Sequence, residues 1–199
     1  ALYETLYMVT VSLVIGALIG IPLGILLVVT RKNGIWSNTI LHQVLNPIIN
    51  ILRSIPFIIL LIAIVPFTKL LVGTSIGTTA AIVPLTVYVA PYIARLVENS
   101  LLEVDDGIIE AAKAMGASPL QIIRYFLLPE ALGSLILAIT TAIIGLIGST
   151  AMAGAVGGGG IGDLALVYGY QRFDTIVIVI TVIVLIIIVQ IIQTLGNFI

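Results

Sequence analysis

The sequence predicts an all-α, polytopic membrane protein with five transmembrane helices. Composition is the first reason. Of the 199 residues, 60% are hydrophobic and only 9% are charged, whereas a soluble domain carries about 25% charged residues. The mean hydropathy of +1.30 makes lipid the natural solvent for most of the chain. The second reason is the distribution of charge. No charged residue occurs in 5–30, 70–94, 131–162 or 175–199, and each stretch exceeds the roughly 20 residues a helix needs to cross hydrocarbon. The third is physical: in lipid an open sheet edge would leave backbone groups unpaired, so the spans are helices.

The predicted spans of this single domain, residues 1–199, are 5–30, 47–72, 74–97, 131–153 and 175–199. The second is the least regular. It carries Arg53 near its inner end and Pro56 at a point where a helix can restart, since proline fits a first helical turn. An odd number of spans places the termini on opposite sides. With the N-terminus outside and the C-terminus inside, Arg31, Lys32, Arg53, Arg95, Lys113 and Arg124 fall inside, while Lys69 and Arg172 fall outside. That distribution follows the positive-inside rule. Tyr3, Tyr7, Trp36, Tyr168, Tyr170 and Phe173 fall near the predicted interfaces, as an aromatic belt requires. No repeat relates the segments, so the paired halves of many secondary carriers are missing. The chain begins at Ala1 and ends inside an apolar run, which points to trimmed termini, and no signal-peptide pattern is visible.

Several function classes are excluded. The net charge of −1 gives no footprint for nucleic acid. There is no cysteine and a single histidine, His42, read as a solvated interfacial residue, so a structural zinc site has no ligands. No Ser/His/Asp constellation and no pair of intramembrane carboxylates supports an enzyme. Arg95 and Glu98 read as surface contacts at the inner end of the third span.

The segment 98–130 is the polar exception, with six acidic and two basic residues and a local charge of −4. Ile108, Ala111, Ala112 and Met115 recur at helical spacing over 107–115, with Glu110 and Lys113 off that face. Gly116 stands where a glycine ends a helix. Ser118, Pro119 and Gln121 form a capping box with proline at the first helical position, opening a second helix that runs to Pro129. The rhythm imitates a DNA-binding helix-turn-helix, but a segment of this charge repels phosphates. A short exposed helix with small residues instead fits a groove on a partner.

Glu110-Ala111-Ala112, then Gly116 after three residues, then Phe126-x-Leu128-Pro129 after nine more, resembles the EAA loop of permease subunits of bacterial ABC importers. Phe126 stands where that pattern has isoleucine. The stretches 50–104 and 150–160 ("TAMAGAVGGGG") are similar to the permeases of methionine importers, and the likeness covers nearly the whole chain. The resemblance implies the type I importer permease fold. It also implies a multi-pass protein of the bacterial inner membrane that transports an amino acid, most readily methionine. The implied partners are a second copy of the chain, two ATP-binding subunits on the cytoplasmic side, an extracytoplasmic substrate-binding lipoprotein and membrane lipid, with no nucleic acid. ATP and Mg belong to the partner ATPase, and the chain itself holds no cofactor.

The bare sequence agrees: it has no phosphate-binding P-loop and no carboxylate deep in a predicted span, where ion-driven carriers place one. Another amino acid or small solute remains an alternative cargo. A secondary carrier, a channel or an inert scaffold are the alternative classes.

The resemblance implies that Glu110, Ala111, Ala112, Gly116, Ala117 and Ser118 dock on the ATPase within a coupling helix at 106–118. It also implies an outer gate at Met152, whose flexible, polarizable side chain suits a mobile plug. Ser149, Thr150, Gly157 and Gly158 are grouped with it as gate and pathway residues. Ser54, Pro56, Thr86, Tyr88, Tyr92 and Thr141 are further small or polar pathway candidates, although such residues also mediate helix packing in lipid. Pro84 and Pro91 predict a kinked third span.

One motif points elsewhere. "AVGGGGIGD" at 155–163 contains GxGxxG, with glycines at 157, 159 and 162. A dinucleotide fingerprint requires a strand before it and a helix after it in a βαβ unit. Here the preceding segment is a membrane helix, and glycine disfavours helix by about 1 kcal/mol each relative to alanine. The run therefore predicts the end of the fourth span and a gate hinge.

Overall fold

The computed structural model describes residues 1–198; Ile199, the last residue of the predicted fifth span, lies outside the described residues. The described residues form helices and no strand. In order these are α1 (Leu2–Thr30), α2 (Thr39–Ser54), α3 (Phe57–Ala63), α4 (Val65–Val72), α5 (Thr78–Leu102), α6 (Asp106–Ala114), α7 (Pro119–Ile122), α8 (Leu128–Glu130), α9 (Leu132–Ala153), α10 (Gly160–Asp163) and α11 (Thr175–Asn197). Wide π-type turns occupy Ile123–Leu127, Gly154–Gly158 and Leu164–Tyr170.

Among the described residues, four helical runs are each long and apolar enough to cross a bilayer: α1, α5, Leu132–Gly158 and α11. A fifth crossing exists only if α2 and α3, bent by 100° against each other, are taken together. The bend lies at Ile55–Pro56. Proline has no N–H to continue the ladder and pushes the residue before it out of the helical region. Ile55 accordingly takes φ −80°, ψ 121°. The segment 47–72 is thus three helices in place of one.

The centre of the bundle is α5 packed against α1. Leu85, Val89, Ile93 and Val97, four residues apart along α5, are completely buried. The α1 face that meets them carries Gly16, Gly20 and Gly24, again four apart. A Cβ added at Gly20 would stand 2.5 Å from the Ala90 carbonyl oxygen, and one at Gly24 2.6 Å from that of Ala94. Lipid supplies no hydrophobic drive for helix association, so small residues that let backbones approach closely do this work. Ser12, one step earlier on the stripe, donates to the Ile82 carbonyl at 3.4 Å. Helix α5 runs through Pro84 and Pro91 as one assigned element.

Helix α9 packs against both α5 and α1, burying Ala142 and Leu146 completely. Helix α11 lies against α9, where a Cβ at Gly196 would stand 2.3 Å from Thr140 Oγ1. Its remaining surface is a sheath of exposed isoleucines and valines, as a lipid-facing helix requires. The six belt aromatics, Tyr3, Tyr7, Trp36, Tyr168, Tyr170 and Phe173, are all exposed. Arg172 lies over the Tyr168 ring at 4.5 Å.

Candidate coupling surface and translocation cleft

Helix α6 is built from its caps. The Asp105 carboxylate accepts from Gly107 N–H at 2.7 Å, satisfying one of the donors a helix start leaves unpaired. At the other end Gly116 takes φ +80°. The Ala117 N–H then reaches the Ala112 carbonyl and the Gly116 N–H that of Lys113. These two bonds are the Schellman arrangement, which needs a left-handed residue at Gly116. The predicted capping box follows: Ser118 N–H donates to Gln121 Oε1 at 2.8 Å, and Gln121 N–H to Ser118 Oγ at 3.5 Å. Two short helices are thereby held at a fixed angle by residues 115–118.

The surface they present differs from the predicted docking set in one residue. Ala112 is fully buried, because its face of α6 turns toward the chain's own turn at 123–127. Glu110, Ala111, Gly116 and Ser118 are exposed, and Ala117 is half-buried. Met115, predicted on the apolar face with Ala112, is 69% exposed, and Leu120 beside it 74%. The outward surface of this region is therefore a shallow apolar knob of Met115 and Leu120, while Glu110 and Lys113 share with Asp106 the polar cleft against residues 31–35. On its inner side Arg31, just past α1, lies 3.7 Å from Asp106.

A second feature is a cleft where α2, α3, α5 and α9 meet. Arg53, Ser54, Pro56, Tyr88, Ser149 and Met152 line it. Gly145 and Gly148 on α9 form its floor. Met152 is 51% exposed. Tyr88 stacks on Tyr92 and meets Phe57 edge-on. Of the predicted pathway residues, Ser54, Pro56, Tyr88, Ser149 and Met152 are thus brought together. Thr150 is not among them: it is 2% exposed, with its hydroxyl donating to the Ile147 carbonyl at 2.7 Å, on the face of α9 that packs inward. Thr86 has a buried hydroxyl without a partner among the described residues and does not line the cleft.

The glycine run, predicted as the end of the fourth span and a gate hinge, is tightly packed. Gly157 (φ +86°), Gly159 (φ +77°) and Gly160 (φ +83°) take conformations that side chains rarely adopt. The chain folds back so tightly that a Cβ at Gly154 would stand 2.3 Å from Asp163 N, and one at Gly162 2.3 Å from the Ala151 carbonyl. Gly77 N–H donates to the Gly157 carbonyl. Gly160 N–H donates to Glu4 Oε2 and Ile161 N–H to Thr5 Oγ1, both at 2.9 Å. The run is a packed knot that fastens the end of α9 to the starts of α1 and α5. Gly157 and Gly158 lie in it, and neither lines the cleft with Met152.

Sequence reasoning missed a partly buried polar network between α2 and α5. Arg95 Nη1 bonds to Glu98, and Arg95 Nη2 donates to Asn46 Oδ1 and Asn50 Oδ1, each at 2.7 Å. Side-chain exposure is 17% for Arg95 and 9% for Glu98, so this pair within α5 is interior and not a surface contact, and Arg95 joins α5 to α2 through Asn46 and the exposed Asn50. A signal was present: Thr39, His42, Gln43, Asn46, Asn50 and Arg53 fall on one face of a helix, opposite Ile40, Leu41, Val44, Ile48 and Ile51. His42 Nδ1 lies 3.1 Å from the Leu27 carbonyl oxygen, so this residue, too, is tied to α1.

Residues 20–197 match the family described as binding-protein-dependent transport system inner membrane component. A probable D-methionine transport system permease protein of Vibrio cholerae is 52% identical over 197 residues, 99% of this chain and 88% of that protein. The D-methionine transport system permease protein of Escherichia coli K12 is 57% identical over 152 residues, 76% of this chain and 70% of that one. Among solved structures, a chain of the inward-facing MetNI methionine ABC transporter superposes with a TM-score of 0.96 at 52% identity, covering 98% of this chain and 90% of its own. A chain of an amino acid ABC transporter shares the fold, with a TM-score of 0.81 at 19% identity over 99% of this chain and 89% of that one.

Proposed function

The chain belongs to the family of binding-protein-dependent transport system inner membrane components, and on that premise we propose that it is the permease subunit of a methionine ABC importer. The observation that carries this reading is the likeness, over 98% of the chain, to the permease of a methionine ABC transporter. The chain is a transport subunit and not an enzyme; ATP and Mg are bound, and ATP is hydrolysed, by a separate ATPase. Two copies of the chain form the pathway above two ATPase subunits. An extracytoplasmic lipoprotein delivers the substrate, and the assembly sits in the bacterial inner membrane with the N-terminus outside.

The geometry supplies a mechanism. Closure of the ATPases on ATP displaces the knob formed by α6 and the turn at 115–118, with Glu110, Ala111, Met115, Gly116 and Ser118 in the contact. The segment 119–130 is helical and joins α9 across the single turn residue Ala131, so the displacement passes into α9 toward Ser149. The Arg31–Asp106 pair links the same knob to the end of α1. The glycine knot anchors the end of α9 two residues after Met152, so the gate opens by displacement of the cleft wall at Gly145, Gly148 and Ser149 against the anchored Met152. Purification from membranes, with identification of the attached chains, tests the assembly: an ATPase with a P-loop is expected, and recovery of the chain alone from every mild detergent counts against it.

A further inference from the structure

Arg53 is distinguished by its position. It ends α2 where the chain bends by 100°, in the cleft it shares with Tyr88. Tyr88 is ten residues into the 25-residue α5, so the cleft that Arg53 lines, itself exposed, opens beside the middle of an apolar span and not at its end. Charge at that depth is rare and marks a pathway or a pairing. Irregular backbone there is tolerated only when buried in protein or lining a cavity.

Arg53 has no hydrogen-bond or ion-pair partner among the described residues, while Arg31 faces Asp106 and Arg95 bonds to Glu98. No carboxylate lines the cleft. The cavity therefore holds one uncompensated cation. Around it stand the Tyr88 phenol, apolar walls from Phe57, Ile58 and Met152, and a glycine floor that lets a ligand approach the α9 backbone. A guanidinium offers donors in a planar fork matched to a carboxylate. One cation beside apolar surface complements the carboxylate and side chain of an apolar amino acid. With no anion to hold the ammonium group, the grip is one-sided and the ligand is readily released.

We propose that Arg53 receives the α-carboxylate of the amino acid as it crosses, with the side chain of the substrate against Met152 and Ile58. This assignment rests on the amino-acid importer reading above.

The test uses the complete importer, with its ATPase and binding protein, in proteoliposomes, and reads the initial rate of ATP-dependent uptake of labelled methionine. Arg53→Gln and Arg53→Met keep length without charge and are expected to lower uptake about tenfold, the effect of losing one charge-assisted contact. Arg53→Lys keeps the charge and is expected to stay within about threefold of the unsubstituted rate on the same basis. Ser54→Glu, at an exposed neighbouring position, places an anion beside Arg53 and is expected to lower uptake about tenfold without touching the arginine. Each variant is compared at equal co-purification with the ATPase, and a variant that fails to assemble leaves the others to decide. Unsubstituted uptake rates for Gln, Met or Glu variants overturn the assignment, as does an equal fall in Arg53→Lys. Absence of methionine uptake by the unsubstituted importer overturns the importer reading itself, and is distinguished by that control.

Discussion

The backbone N–H of Gly160 donates to the carboxylate of Glu4, 156 residues earlier in the chain, at 2.9 Å. Beside it Ile161 N–H donates to the buried Thr5 hydroxyl. Two successive amides of a glycine-rich turn are thus satisfied by the first turn of the first helix. The turn needs its glycines for conformation and space, and α1 supplies the partners that the turn cannot supply for itself.

Removing the Thr5 acceptor should loosen that knot. Thr5→Val preserves shape but leaves the Ile161 amide unpaired in a buried site, at a cost of about 1–3 kcal/mol. A lower midpoint of thermal unfolding of the purified permease is the expected result; an unchanged midpoint would show that the knot holds without this bond.

The α1–α5 contact depends on glycine at one face. Gly20→Val forces side-chain atoms onto the Ala90 carbonyl, and is expected to cost about 3 kcal/mol or more, at the upper end for overpacking. Gly133→Ala is the matching control: nothing lies within 4 Å of its added Cβ, and it sits in α9 with room, so it should stabilise by about 0.5 kcal/mol. Detergent-denaturation curves of the two variants should move in opposite directions.

The Arg95–Glu98 pair is buried deeply enough for its disruption to be asymmetric. Arg95→Leu strands the Glu98 carboxylate and should cost about 3–5 kcal/mol, whereas Arg95→Leu combined with Glu98→Leu should recover most of that loss. A double-mutant cycle by thermal unfolding gives the coupling directly. Simple additivity of the two single substitutions would mean the pair is not an interacting unit.

Adjacent alanines on α6 should behave differently. Ala111→Trp adds bulk to the exposed face, and is expected to leave the fold intact while reducing ATP-dependent uptake at least about tenfold, as a steric block at a packed contact does. Ala112→Trp intrudes on a fully buried position and should reduce the yield of folded permease. Normal uptake in the Ala111 variant would remove α6 from the coupling contact.

Much of this architecture was legible in the sequence because it is local. The caps at Asp105, Gly116 and Ser118 depend on residues within a few positions of each other, and charge-free runs mark the long helices. What escaped depends on distance in the chain. Nothing near Gly160 indicates that Glu4 will meet it, and nothing near Arg95 selects Asn46 and Asn50. The burial of Ala112 follows from how α6 packs on the turn at 123–127; periodicity placed it on the same face as Met115 and could not tell which edge of that face turns inward. The stripe at Gly16, Gly20 and Gly24 was visible but acquires meaning only beside the partner helix α5. Pro56 marked a restart, and its 100° consequence lay in the packing of α3 against α5.

Reconstitution gives the most direct test of the central claim, that this chain is the pathway of an ATP-driven methionine importer. Proteoliposomes containing the permease with its ATPase and binding protein are loaded with ATP on the ATPase side, and labelled methionine is followed. Accumulation against a gradient that requires ATP, and its absence when either partner is omitted, is the predicted result. Methionine movement at the same rate through the permease alone, without ATP, would contradict the account.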